Sequence, residues 1–220
     1  MKCAWLIPTA NPALCSENFA AWRALGWDTF AMVEGDARIL DATGVFREDE
    51  YAGWGESFNL MARYLAGQYD WMGTGGDDCF PDPRLDAETI GNELSSHFGG
   101  TFGVCQATAD QWAWNKNGSA DPICFAPFIG SDFAKRWSGG RGAFWPDYFQ
   151  WFADNELFET ANRAELFLQR TDWLVDHRHV AKDGRQAPEY KLSKQPRWQA
   201  DHDLYHARKR DGFPGHSPIP

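Results

Sequence analysis

At 220 residues the chain is long enough for one domain of ordinary to large size with a substantial core. Its 43% hydrophobic and 15% aromatic content excludes a disordered chain, and a net charge of −10 argues against broad, sequence-independent adhesion to nucleic acid. Residues 1–177 carry −14 of that charge and residues 178–220 carry +4, so the tail is the basic part.

Residues 2–7 read as a buried first strand that ends at Pro8. A helix follows from Ser16, its expected N-cap, to Leu25, and Gly26 stops it. Thr29–Val33 is the second strand, closed by Glu34-Gly35-Asp36, with a further short strand expected at Ala37–Leu40. Phe58, Met61, Ala62 and Leu65 recur at helical spacing and place a helix over Glu56–Leu65, before a strand at Trp71–Thr74. Arg84–Phe98 reads as another helix and Phe102–Ala107 as a strand. Between Asp110 and Pro127 no period is visible, which predicts a loop or hairpin excursion. Tyr148–Gln169 reads as a long helical region, Trp173–Val175 as a strand, and Leu204–Arg210 as a terminal helix. Alternating strands and helices predict a single α/β domain over residues 1–220, with a central, mostly parallel sheet flanked by helices.

Five scattered cysteines, Cys3, Cys15, Cys79, Cys105 and Cys124, form no Cys-x-x-Cys pair, which points to a reducing compartment. The apolar opening run is too short for a signal peptide, and no window approaches the roughly 18 apolar residues of a membrane span. The expectation is a soluble cytoplasmic protein. Twelve tryptophans and sixteen phenylalanines exceed what a minimal core needs, so some rings are expected to line a cleft.

The run Trp71-Met72-Gly73-Thr74-Gly75-Gly76-Asp77-Asp78-Cys79 carries the most chemistry. Glycines permit a sharp turn, and adjacent carboxylates offer the oxygen ligands that Mg²⁺ or Mn²⁺ prefers, with a nucleoside diphosphate as the natural client. In open α/β sheets ligands sit beyond the carboxyl ends of the strands. Thr9, Glu34, Asp36 and the Asp77-Asp78 pair follow separate strands and so share that rim. His177 and His179, two apart, are candidate metal ligands. Asp154 and Glu156 lie in the aromatic stretch Trp151–Phe158, where desolvation would raise a carboxylate toward the range of a general base. The glycine-rich Ser138–Tyr148 segment, with Arg141, reads as a loop that closes over a donor.

Taken together, the Pro8-Thr9 start, Ser57-Phe58-Asn59, the Gly-Gly-Asp-Asp-Cys turn, the Gly-rich segment followed by Trp-Phe-Ala-Asp-Asn-Glu, and the late His-x-His resemble a compact GT-A type glycosyltransferase, like those of bacteriophages. The resemblance implies a metal-dependent enzyme that moves a sugar from a nucleotide-sugar, a UDP-sugar foremost, to an acceptor hydroxyl with inversion. It implies that Asp77 and Asp78 hold the Mn²⁺ or Mg²⁺ and the diphosphate, with His177 or His179 completing the metal site. Asp154 would be the catalytic base, with Glu156 beside it. Pro8, Thr9, Glu34, Asp36, Ser57 and Asn59 would hold the base and ribose. The acidic motif here is Gly-Asp-Asp where the common form is Asp-x-Asp, which leaves open which carboxylate ligates the metal. Ala-Asp likewise stands where many members have Glu-Asp.

The leading acceptor under this resemblance is double-stranded DNA bearing hydroxymethylated bases, with the basic tail on the backbone and Trp112 and Trp114 receiving an extruded base. The alternatives are a small glycan, a lipid-linked sugar or a protein. A sugar nucleotidyltransferase shares the sheet, but Pro8–Pro12 lacks its glycine-rich basic loop. A carbohydrate-binding module without turnover is a third reading.

Overall fold

The computed structural model describes residues 1–107, 123–179 and 195–216. Strand β1 (Cys3–Pro8) is buried nearly throughout, as an unbroken apolar run should be in a sheet covered on both faces. It pairs in parallel with β2 (Asp28–Glu34) on one side and β4 (Trp71–Thr74) on the other. β3 (Gly44–Glu48) extends the sheet beyond β2, also in parallel. Beyond β4 come β7 (Pro127–Gly130), β6 (Val104–Ala107) and β8 (Phe167–Arg170). The seven-stranded order is therefore β3-β2-β1-β4-β7-β6-β8. β7 runs antiparallel to both neighbours, whereas β6 and β8 are parallel, so the sheet is mostly parallel as expected. A separate antiparallel ribbon joins β5 (Cys79–Pro81) to β9 (Val175–His177).

The helices are α1 (Pro12–Ala24), α2 (Trp54–Leu65), α3 (Ala87–Phe98), α4 (Ser131–Gly140), α5 (Ala153–Arg163) and, after a short 3₁₀ turn, α6 (Trp198–Arg210). Side chains alternate across β1: Leu6 joins the cluster under α2, α4 and α5, while Trp5 and Ile7 join the one under α1 and α3. Trp5 stacks on Trp22 with ring centroids 3.8 Å apart, and a Cβ at Gly73 would collide with the Trp5 ring, which is why β4 carries a glycine there. Trp5, Trp22, Trp27, Trp71 and Trp137 are fully buried, so these rings fill the core rather than line a cleft.

Several elements differ from the sequence expectation. α1 begins at Pro12 with Asn11 as its cap, accepting from the Leu14 amide at 3.2 Å; Ser16 lies inside the helix and donates to the Pro12 carbonyl. No strand forms over Ala37–Leu40; β3 pairs with β2 instead. The long helix expected over Tyr148–Gln169 is confined to α5, because Phe152 and Glu165 bracket it at φ of 67° and 59°. Ahead of it, the Asp201 carboxylate collects the amides of Phe149, Gln150 and Trp151 at 3.0, 2.8 and 2.9 Å, satisfying backbone donors that a helix would otherwise have used. The strand expected at Trp173–Val175 is displaced to Val175–His177. Most of the excursion expected after Asp110, with Trp112 and Trp114, lies outside the described residues, as do Lys182, Arg185, Lys191 and Lys194; its last residue, Pro127, opens β7. Among the described residues no helix is long and apolar enough to cross a membrane.

Candidate active site

The acidic turn is built where β1 and β4 end side by side. Thr74 donates to the Leu6 carbonyl at 2.7 Å, and the Trp54 indole reaches the Gly75 carbonyl at 3.3 Å. A Cβ on Gly76 would collide with the Asp78 carboxylate, so the second glycine is what lets Asp78 fold back over the turn. Asp77 and Asp78 are only 6% and 4% exposed. Just past β1, the Asn11 amide donates to the Thr9 hydroxyl at 2.9 Å, which in turn donates to Asp77 at 3.0 Å. That relay fixes Asp77 against the start of α1.

The β5–β9 ribbon supplies the other side. Cys79 and His177 are direct partners in this antiparallel pair, which sets both side chains on one face. The Arg178 amide continues the ladder to the Asp78 carbonyl at 2.8 Å. His177 Nε2 lies 3.4 Å from Asp78 Oδ1. One ligand atom each from Asp78, Cys79 and His177 falls within 4.8 Å of the others, a group that can hold a metal ion. Carboxylate, thiol and imidazole are all ligands of divalent ions, so the donor set fits such an ion. α1 anchors the ribbon, since the Cys79 carbonyl accepts from Asn18 Nδ2 at 2.7 Å and Trp22 Nε1 at 3.0 Å. His179 stands edge-on to His177, ring centroids 5.2 Å apart, outside the three-residue group. Cys79 was not legible as a ligand, because only cross-strand pairing brings it opposite His177.

Asp154 and Glu156 begin α5 and have opposite surroundings, as residues two apart on a helix must. Burial pushes Asp154 up to about 6, although part of the residue reaches solvent and the Asn155 amide donates to it at 3.0 Å. Its backbone carbonyl accepts from the Cys124 amide at 3.2 Å, and the next residue, Phe125, stacks on His177 at 5.4 Å and 13°. Two consecutive residues thus bridge the Asp154 segment to the Asp78, Cys79 and His177 group.

Glu156 occupies a different place from the one expected of a base. It is fully buried, accepting from Tyr148 at 2.6 Å, from Arg208 at 2.7–3.1 Å, and pairing with His216 at 2.6 Å. Burial raises it, but the hydrogen bonds from His216, Arg208 and Tyr148 outweigh this and leave it below the usual carboxylate range. Ser138 joins the same array through His216 Nδ1 at 2.8 Å. The order hydroxyl, imidazole, carboxylate is that of a hydrolytic triad, yet Ser138 and Glu156 are 1% and 0% exposed and Arg208 packs 3.4 Å from the Trp145 ring centre. No substrate reaches a group sealed in this way, so the array is structural.

The remaining expected residues are dispersed. Pro8 and Thr9 sit at the end of β1, and Glu34 ends β2 beside Glu48 of β3. Asp36 is fully solvated, 3.9 Å from Arg47. Ser57 donates to Glu48 at 3.3 Å on the same rim. Asn59 is buried and clamps the Phe144 backbone, donating to its carbonyl at 2.8 Å and accepting from its amide at 3.2 Å, so its amide group is committed to the protein. Ala143, Phe144 and Trp145 are buried, so this part of the glycine-rich segment is anchored rather than open, while Arg141 lies on its exposed side over Trp145. In the tail, Arg178 pairs with Asp176, Arg208 with Glu156 and Lys209 with Glu159.

No protein-family model matches the sequence, and no curated protein matches it. Among solved structures, the chain is similar to a Drosophila beta-1,4-galactosyltransferase 7 mutant in complex with manganese, UDP-Gal and xylobiose, with a TM-score of 0.52, 14% identity, and coverage of 87% of this chain and 78% of that one. It also resembles A197 from STIV, at a TM-score of 0.48, 12% identity and coverage of 80% and 84%. A third is 4-diphosphocytidyl-2C-methyl-D-erythritol synthase from Anaerococcus prevotii, at 0.44, 9% identity and coverage of 76% and 86%. The likeness to the galactosyltransferase structure shows the fold: a mixed α/β domain with a mostly parallel sheet, which in this chain carries an acidic turn after β4.

Proposed function

We propose that this protein is a metal-dependent, inverting glycosyltransferase that uses a nucleotide-sugar, a UDP-sugar foremost, as donor. The observation that carries the reading is the Asp78–Cys79–His177 group at the carboxyl edge of the sheet, joined through Cys124 and Phe125 to a carboxylate raised to about 6.

Asp78 and His177 would hold a divalent cation, which when bound would supply positive charge to the departing nucleoside diphosphate, and Thr9 orients Asp77 beside them. Glu34, at the end of β2 with Glu48 beside it, would face the nucleoside, and the buried Ser57 holds Glu48 from below. Asp154 takes the proton from an acceptor hydroxyl as that oxygen attacks the anomeric carbon, and one displacement inverts the configuration. Among the described basic residues of the tail, Arg208 is buried against Glu156 while Arg178 and Lys209 pair at the surface with Asp176 and Glu159, and a small glycan is the acceptor taken first.

The test is calorimetric titration of the full chain with UDP-, GDP-, CDP- and ADP-sugars, each with Mn²⁺ and with a chelator. Metal-dependent binding of one donor, followed by release of its nucleoside diphosphate in the presence of simple glycans, is the expected result. Absence of binding to every donor overturns the reading, and turnover only on hydroxymethylated DNA reassigns the acceptor.

A further inference from the structure

Resting on the same centre, we infer that Cys79 is itself a metal ligand, so that the protein supplies a carboxylate, a thiolate and an imidazole and the site selects a borderline ion such as Zn²⁺ or Co²⁺ over Mg²⁺. Cys79 and His177 face each other across the ribbon in direct register, and the Asp78 carboxylate lies 3.4 Å from the His177 ring nitrogen. All three ligand atoms lie within 4.8 Å of one another, so a small side-chain adjustment would bring them to the separation of about 3.5 Å that a tetrahedral ion with bonds of about 2.0–2.3 Å requires. Three protein ligands leave a fourth position open, the pattern of catalytic rather than structural zinc sites.

The chemistry decides the ion. Mg²⁺ demands oxygen ligands and an octahedral shell, whereas a thiolate and an imidazole favour Zn²⁺ and Co²⁺. Cys79 is 1% exposed, and its carbonyl is bound by Asn18 and Trp22, so its backbone is fixed where the thiol faces His177. An inert core cysteine would need no particular partner across the strand. This one is placed opposite an imidazole and next to a carboxylate.

The experiment is Co²⁺ titration of the metal-free full chain under anaerobic conditions, read by absorption. Wild type is expected to develop a near-ultraviolet thiolate-to-cobalt charge-transfer band that saturates at one equivalent. Zn²⁺ should abolish it stoichiometrically, and a 100-fold excess of Mg²⁺ should leave it unchanged. Cys79→Ser should lose the band while keeping the far-ultraviolet circular dichroism of wild type, with Co²⁺ affinity at least about tenfold weaker. Absence of the band in wild type, or its persistence in Cys79→Ser, overturns the inference. Should that variant not fold, zinc-edge X-ray absorption of loaded wild type decides: one sulfur at about 2.3 Å supports the ligand, and nitrogen and oxygen scatterers alone overturn it. Nucleotide-sugar binding is measured on the same preparations. Sulfur ligation without nucleotide binding sinks the transferase reading alone, and manganese-dependent nucleotide binding without sulfur ligation sinks the Cys79 assignment alone.

Discussion

The Thr9 hydroxyl donates to the Asp77 carboxylate at 3.0 Å across a sequence separation of 68 residues, joining the end of β1 to the turn after β4. Thr9→Val keeps the shape and removes this bond. A hydrogen bond to a charged group is worth about 1.5–3 kcal/mol, so urea unfolding should show a loss of that size, largely restored in Thr9→Ser. Unchanged stability would mean that the relay from Asn11 is incidental.

Asp154 links activity to pH and stability in opposite directions. As a base it must be deprotonated, so turnover should fall as pH drops through about 6, and Asp154→Asn should lose two to four orders of magnitude in turnover with donor affinity kept. A carboxylate raised on folding favours the native state fully below its unfolded value near 3.8, and this contribution is lost as pH rises through about 6. Above that pH the buried charge is a cost. Asp154→Asn should therefore be more stable than wild type at pH 8, by about 1–3 kcal/mol after allowing for its partial solvation, and indistinguishable near pH 3.5.

Glu156 should behave as a structural residue. Glu156→Gln leaves Arg208 buried with one opposing charge fewer, a loss of about 3–5 kcal/mol that guanidinium unfolding would register. Turnover per folded molecule should stay within a factor of about two, well short of the loss that removing a general base produces. A hundredfold fall in turnover at full folding would return Glu156 to the catalytic set.

Phe152 offers a test of strain. Its φ of 67° is costly for a bulky residue, and its ring is held by Tyr205, Trp198 and His202 of α6. Phe152→Ala loses the packing and keeps the backbone cost, while Phe152→Gly loses the packing and relieves it. The glycine variant should therefore be the more stable of the two by about 1 kcal/mol in a thermal melt. The reverse order would show that the backbone conformation is unstrained.

Asp78→Ala should abolish the metal dependence of donor binding. In calorimetry with UDP and Mn²⁺, affinity should drop by roughly 100-fold or more, to the level seen with chelator. Equal affinity with and without metal in the variant and in wild type alike would place the cation elsewhere.

How much of this was legible follows from where each signal resides. β1, β2 and β4 announce themselves because a strand buried on both faces is a run of apolar residues. β3, only partly buried at the sheet edge with the sequence GVFRE, carries no such run, and in β7 the run is masked by the proline that opens the four-residue strand. The short α5 was hidden because its boundaries depend on Phe152 and Glu165 at positive φ, residue types that do not advertise that conformation. The acidic turn was readable from its glycines. Separating Asp154 from Glu156 was not, since their difference lies in which face of α5 meets Arg208 and His216, groups that arrive from more than 50 residues downstream. Cys79 was hidden for the same reason, its partner being a strand far along the chain.

The single carboxylate of Asp201, gathering three amides of the loop that leads into α5, has a consequence for the growing chain. That loop precedes its anchor by about 50 residues. During translation it emerges from the ribosome with its amides unmatched, and the start of α5 takes its final shape only once α6 follows. The acidic turn closes on Thr9, 68 residues earlier, and its ribbon partner His177 also precedes Asp201, so a nascent chain would complete the turn and the ribbon before the loop that leads into α5.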